Sequence, residues 1–127
     1  MTSKKTGDAA SNNRSLISEI EFIGKCLARL SERFDIEKEN ARQEGSIEHL
    51  EKFLERSRVF FQPEVGTILA SLFRVRSRIG EGEGAGEAEK SSVDMEKQIR
   101  KAATHFVSTP HRLIRTFDAV QGSEQGT

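Results

Sequence analysis

In the stretch Ser15–Phe34, "SLISEIEFIGKCLARLSERF", the large apolar residues Leu16, Ile20, Ile23, Leu27, Leu30 and Phe34 fall at steps of four, three, four, three and four. An α-helix, turning every 3.6 residues, gathers such a set onto one stripe, whereas a strand scatters it over both faces. In heptad terms Ile20, Leu27 and Phe34 occupy a, and Leu16, Ile23 and Leu30 occupy d. The register continues onto Glu37 and Ala41, so the seam fades after Phe34 while the helix runs on to Glu44 and ends at Gly45. Its start falls between Asn12 and Ser18, a stretch with several competent N-caps. The e positions Ile17, Gly24 and Ser31 are small or apolar rather than charged, which widens the stripe and points to burial against two or more helices. Phe22 lies off the stripe with Cys26 one turn later, a second and smaller apolar spot.

The same periodicity predicts two more helices in the first two thirds of the chain. Ser46 caps a helix in which Ile47, Leu50, Leu54 and Phe61 repeat the heptad and Phe53 and Phe60 broaden it. Pro63 disfavours helical angles at Gln62 and is suited to the first turn of a new helix, which carries Val65, Ile68, Leu72, Val75 and Ile79. The tail "FRVRSRI" also alternates as a strand would, but no second strand-like segment exists for it to pair with.

From Gly80 to Ser92 the run "GEGEGAGEAEKSS" contains no large apolar side chain and reads as a flexible linker. Beyond it Met95, Ile99, Ala102 and Phe106 restore the helical spacing, Thr109-Pro110 interrupts, and Leu113, Phe117 and Val120 mark a last short helix. The expected organisation is all-α: a disordered tail 1–13, a short coiled-coil-like three-helix core 14–79, a Gly/Glu-rich linker 80–92, a helical arm 93–121 and a disordered tail 122–127.

Composition narrows the function classes. Twenty basic and twenty acidic side chains cancel, so no global field draws in nucleic acid or an anionic membrane. The longest uncharged apolar-rich run, Val65–Phe73, is far shorter than the ~20 residues a membrane span needs. A single cysteine, Cys26, forms no intrachain disulfide, and the N-terminus lacks the apolar run of a signal peptide; an intracellular location, cytoplasmic or nuclear, is the expectation. With no Trp or Tyr, eight Phe carry the aromatic packing.

Motifs with chemistry are weak throughout. His49, His105 and His111 have no second Cys to build a zinc shell, and "GEGEGA" follows a helix rather than a strand, with Glu81 and Glu83 repelling the phosphate such a loop would cradle. No nucleophile motif is present, so no enzyme, cofactor, metal or small-molecule ligand is inferred. Thr109-Pro110 and Ser91–Asp94 have the form of kinase sites at helix N-termini. Arg74, Arg76 and Arg78 crowd the end of the third helix, and the arm carries Arg100, Lys101, Arg112 and Arg115; these are candidate anion contacts, although cations at helix C-termini also complement the dipole.

The function expected from these features is a non-enzymatic helical interaction module, an adaptor or structural subunit. Its partners are other helical proteins, in homo- or hetero-oligomers. The seam Leu16, Ile20, Ile23, Leu27, Leu30 and Phe34 grips its own neighbours and then another chain. The arm residues Met95, Ile99, Phe106, Leu113 and Phe117 reach a second site. The alternative is a small nucleic-acid-binding regulator working through its arginine-bearing helix faces.

Overall fold

The computed structural model describes the backbone from residue 2 to 125 and the side chains from 9 to 121. Helix α1 spans Thr2–Glu44 and stops where the sequence predicts, at Gly45, whose φ of 67° only glycine adopts without strain. Ser46 caps α2 (Ile47–Arg56), its hydroxyl accepting the His49 N–H at 3.3 Å. A π-helical turn, Ser57–Phe61, then joins α2 to α3 (Gln62–Arg76), so that the three form one continuous rod. After a turn, α4 runs from Ala85 to Gln125. The short connections make the middle rod antiparallel to α1 and α4, which lie parallel to each other.

The predicted all-α bundle is thus present, with its core where periodicity placed it. Leu16, Ile20, Ile23, Leu27, Leu30 and Phe34 are all buried, against Leu50, Phe53 and Phe61 of the middle rod and Ile99 and Phe106 of α4. At mid-height Phe34 is the hub. Its ring centroid lies 5.0 Å from that of Phe53, 5.1 Å from Phe61 and 4.5 Å from Phe106, and tilted or edge-on contacts of this kind add to the area term.

Four expectations are corrected. The arm is not separate: it is the middle of α4, packed on α1 and the middle rod, with Ile99 and Phe106 buried and Met95, Leu113 and Phe117 packed partly buried against the same core. The linker is a tight turn followed by helix. Gly82 and Gly84 take φ of 103° and 85°, while Ala88 and Ser92 are buried at 0% exposure. Small side chains here let α4 approach its neighbours closely, which is packing without bulk. The expected tail 1–13 is helical in backbone from Thr2, and Asn13 is wholly buried; its Nδ2 donates to the Glu83 carbonyl at 2.9 Å and its Oδ1 accepts the Gly80 N–H at 3.2 Å. The side chains of 1–8 lie outside the described residues, as do those of the predicted tail 122–127, whose backbone is helical to Gln125.

The fourth correction concerns the two prolines, neither of which breaks its helix. A proline inside a helix removes one N–H and crowds the carbonyl four residues earlier, at a cost of about 3 kcal/mol. Before Pro63 the chain widens into the π turn, with the Gln62 N–H reaching back to the Ser57 carbonyl, which makes room within the same rod. At Pro110 the remedy comes from outside. The Phe106 carbonyl, which would otherwise have accepted the missing N–H, receives the buried Ser57 hydroxyl from the middle rod. Gln62 Nε2 in turn donates to Ser57 Oγ at 3.4 Å.

Candidate interaction surface

The rods leave surface grooves between them, and these are unequal. The α1–α3 groove measures about 520 Å³, against about 380 Å³ between α1 and α4 and about 370 Å³ between α3 and α4. Ile23, Ile68 and Val75 line it, with Phe22 and Cys26 along the α1 wall. It stays open because Ser15 and Ser18 of α1 and Ser71 of α3 stand where larger side chains would fill the space. Phe22, the off-stripe aromatic of the sequence, is 61% exposed there, and Cys26 is half-buried. At one end the Arg78–Glu19 ion pair joins the end of the middle rod to α1. Arg74 stands on the same wall and donates to the Ser71 hydroxyl at 3.1 Å.

The residues expected to meet a partner fall elsewhere. All six seam residues, Leu16 to Phe34, have 8% exposure or less, so the chain's own core uses the seam fully. The arm residues are likewise committed to the bundle. Of the candidate anion contacts, Arg76 is bound to Glu96 at 2.7 Å and to the Ser92 hydroxyl and carbonyl at 3.1 and 3.0 Å, and Arg100 to the other oxygen of Glu96 at 2.7 Å. These two guanidiniums hold the Glu96 carboxyl below its ordinary range, the Arg100 hydrogen bond being the larger cause and the Arg76 bond the next. Arg78 is taken by Glu19. Lys101, Arg112 and Arg115 are exposed on α4 without an ion pair among the described residues.

Two hydroxyl–imidazole–carboxylate sets occur that the sequence did not bring together. Ser46 Oγ is hydrogen-bonded to His49 Nδ1, whose Nε2 lies 3.8 Å from Glu44. Thr109 Oγ1 lies 2.9 Å from His105 Nδ1, whose Nε2 lies 3.7 Å from Asp35. Both have local structural roles. Ser46 is engaged as a helix cap, and Thr109 is 6% exposed on the inner side of α4, where no substrate reaches it. The same burial bears on the kinase motifs. Thr109 and Ser92 are buried inside α4, with no room for a phosphoryl group, whereas Ser91 of the second motif is half-buried there.

No family model matches the chain, and neither a characterised protein nor a solved structure is significantly similar to it. Among the described residues no helix is long and apolar enough to cross a membrane.

Proposed function

We propose that the chain is a non-enzymatic helical interaction module, an adaptor or structural subunit that works inside the cell, in the cytoplasm or nucleus, by docking on other proteins through the outside of its bundle. The observation that supports this reading is the α1–α3 groove, where an aromatic side chain, Phe22, is held 61% exposed over an apolar floor although the core beneath is filled. Fully burying an exposed Phe side chain is worth about 1.5–3 kcal/mol, and a partner that closes over the part of Phe22 still in solvent gains a fraction of that. The docked arm changes the form of the proposal: one rigid bundle with an external face replaces a core and a tethered second hook. The nucleic-acid reading is weaker, because Arg76, Arg78 and Arg100 are engaged by carboxylates of the same chain. Affinity purification of the full chain from its native cell, with mass spectrometry, tests the proposal. A defined co-purifying protein is the expected result, and retention on heparin that falls steeply with salt, with no protein partner, would replace it with the nucleic-acid reading.

A further inference from the structure

We infer that the outer face of α4 binds the phosphate backbone of a nucleic-acid duplex; this goes beyond the interaction-module reading and uses a different face from the α1–α3 groove. From Lys97 to Phe117 the chain has no Asp or Glu, its longest acid-free run, against Lys97, Arg100, Lys101, Arg112 and Arg115. The helical period that buries Ile99, Phe106 and Leu113 sets a second row on the opposite side of α4. Lys97, Lys101, Thr104, Ser108, His111 and Arg115 follow one another at four, three, four, three and four, all exposed except the half-buried Ser108. Arg112 stands beside the row. Because the Ser57 hydroxyl serves the Phe106 carbonyl, α4 continues through Pro110, and Lys97 and Lys101 stay in line with Arg112 and Arg115. At about 1.5 Å per residue the row is about 27 Å long.

The excess survives a count of what surrounds it. Residues 97–115 carry five bases and no acid, and the residues packed beside them, 26–64, carry seven bases and nine acids, so +5 and −2 leave +3 in this half of a chain whose total is zero. Of the bordering acids, Asp35 lies 3.9 Å from Lys38 and 3.7 Å from His105, and Glu39 lies 3.1 Å from Arg42. Glu51 and Glu55 of α2 form no ion pair among the described residues and are included in the count; Asp94 and Asp118 stand one turn beyond the row and mark its ends. Lys97, Lys101, Arg112 and Arg115 form no ion pair among the described residues either, so their charge is free.

Chemistry selects the occupant. Ammonium, guanidinium and hydroxyl groups are the side chains that hold phosphate oxygens. The row contains no apolar side chain, Val107 lying to one side of it, so a protein partner finds none of the anchors that carry protein interfaces, where lysine is depleted. The apolar face of α4 is turned into the bundle, which leaves none to lay in a lipid surface. Single strands are held by stacking on exposed rings, but Phe106 is buried and Phe117 is packed on the core. A duplex needs only charge and reach. It carries one phosphate per about 1.7 Å of axis, and the row is long enough to meet both strands across a groove about 12 Å wide.

The test is fluorescence anisotropy of the full chain with a labelled DNA duplex of mixed sequence, repeated over a salt series. Binding is expected at low salt, with affinity falling as about the third to fourth power of salt concentration, the slope for four cations on phosphates. Lys97→Gln, Lys101→Gln, Arg112→Gln and Arg115→Gln together should weaken binding by about tenfold or more, and each alone should reduce the salt slope by about one. All four positions are exposed, so circular dichroism should report unchanged folding. Arg74→Gln with Arg78→Gln, at the other end of the bundle, should bind as the native chain does. No binding at low salt, binding indifferent to the fourfold variant, or loss only in the Arg74 and Arg78 variant overturns the assignment. So does a single strand bound more tightly than the duplex. Polyglutamate that displaces the duplex at equal charge concentration also overturns it, and would make the row a surface for an acidic protein.

Discussion

The middle of the bundle and its loop end are fastened by the same device, a buried side chain bonded to backbone outside its own helix, in opposite surroundings. At the middle, the Ser57 hydroxyl serves the Phe106 carbonyl among the rings of Phe34, Phe53 and Phe61. At the loop end, Asn13 holds the Gly80 N–H and the Glu83 carbonyl beside the small residues Ala88 and Ser92, and Glu81 and Glu83 stand in solvent. The first bond repairs a helix that Pro110 would otherwise interrupt; the second stands in for secondary structure in a turn that has none. A group orphaned in a dry aromatic layer has no substitute partner, whereas one orphaned next to a solvated turn can recruit water. The middle should therefore set the global stability and the loop end the local opening.

The largest effect tests whether the aromatic layer dominates. Phe34→Ala removes the hub ring and should lower unfolding free energy by about 3–5 kcal/mol, read from denaturant melts. A loss below about 1 kcal/mol would mean that the layer collapses freely onto the vacancy and the contrast between the regions is unfounded. The next effect separates the hydroxyl from the rings. Ser57→Ala leaves the Phe106 carbonyl without a donor and should cost about 1–3 kcal/mol. Pro110→Ala restores an N–H four residues after Phe106, so the double variant should recover much of that loss. Strict additivity of the two substitutions would show that the hydroxyl is not replacing the proline's missing donor.

These two regions also mark what the sequence discloses. The α1 seam was legible because six large residues keep one register, and Gly45 and Ser46 mark the turn with residue types suited to it. The docking of α4 was not, because its seam opens with Ala88 and Ser92 before Met95, Ile99, Ala102 and Phe106. The three- and four-residue steps persist, but small residues do not stand out as core until a neighbouring helix is known to pass close by. Glycines that adopt positive φ in a turn have the same composition as glycines in a loose tether, and only Asn13, 67 positions from Gly80, distinguishes them. The prolines mislead for a similar reason: the donor that rescues Pro110 lies 49 positions from the Phe106 carbonyl it serves. Of the candidate surface, Phe22 and Cys26 were visible as an off-stripe spot. On their opposite wall Arg74 was visible only as one of a cluster of arginines at a helix end, and Ser71 carries no signal until the rods are packed.

A smaller effect belongs to the loop end. Asn13→Ala leaves a backbone N–H and a carbonyl unpaired at a turn that water can enter, and should cost about 1 kcal/mol. The loss should be local, with faster amide exchange at Gly80–Ala88 and little change at Phe106. Acceleration spread evenly over both would make the clasp part of the global cooperative unit and erase the distinction between the regions.

The smallest expected effect is a pH dependence confined to the same half. Glu96 accepts from Arg100 and Arg76 and joins α4 to the end of α3, and these guanidiniums lower its pKa from the ordinary 4.5. A carboxylate whose folded pKa lies below its unfolded one stabilises the fold above the unfolded value, and that contribution disappears as pH falls through the folded value. The side chains are partly solvated, so screening keeps the contribution small, and added salt should shrink it further. Acidification below about pH 4.5 should therefore lower amide protection, measured against the intrinsic exchange rate at each pH, in the first half of α4, around Ser92 to Ile99, before it affects the aromatic layer. Glu96→Gln should remove that local acid sensitivity while leaving Arg76 bonded to Ser92. If the Gln variant keeps the same acid profile at Ser92–Ile99, another carboxylate governs that half, and the ion pair is incidental to how α4 is held.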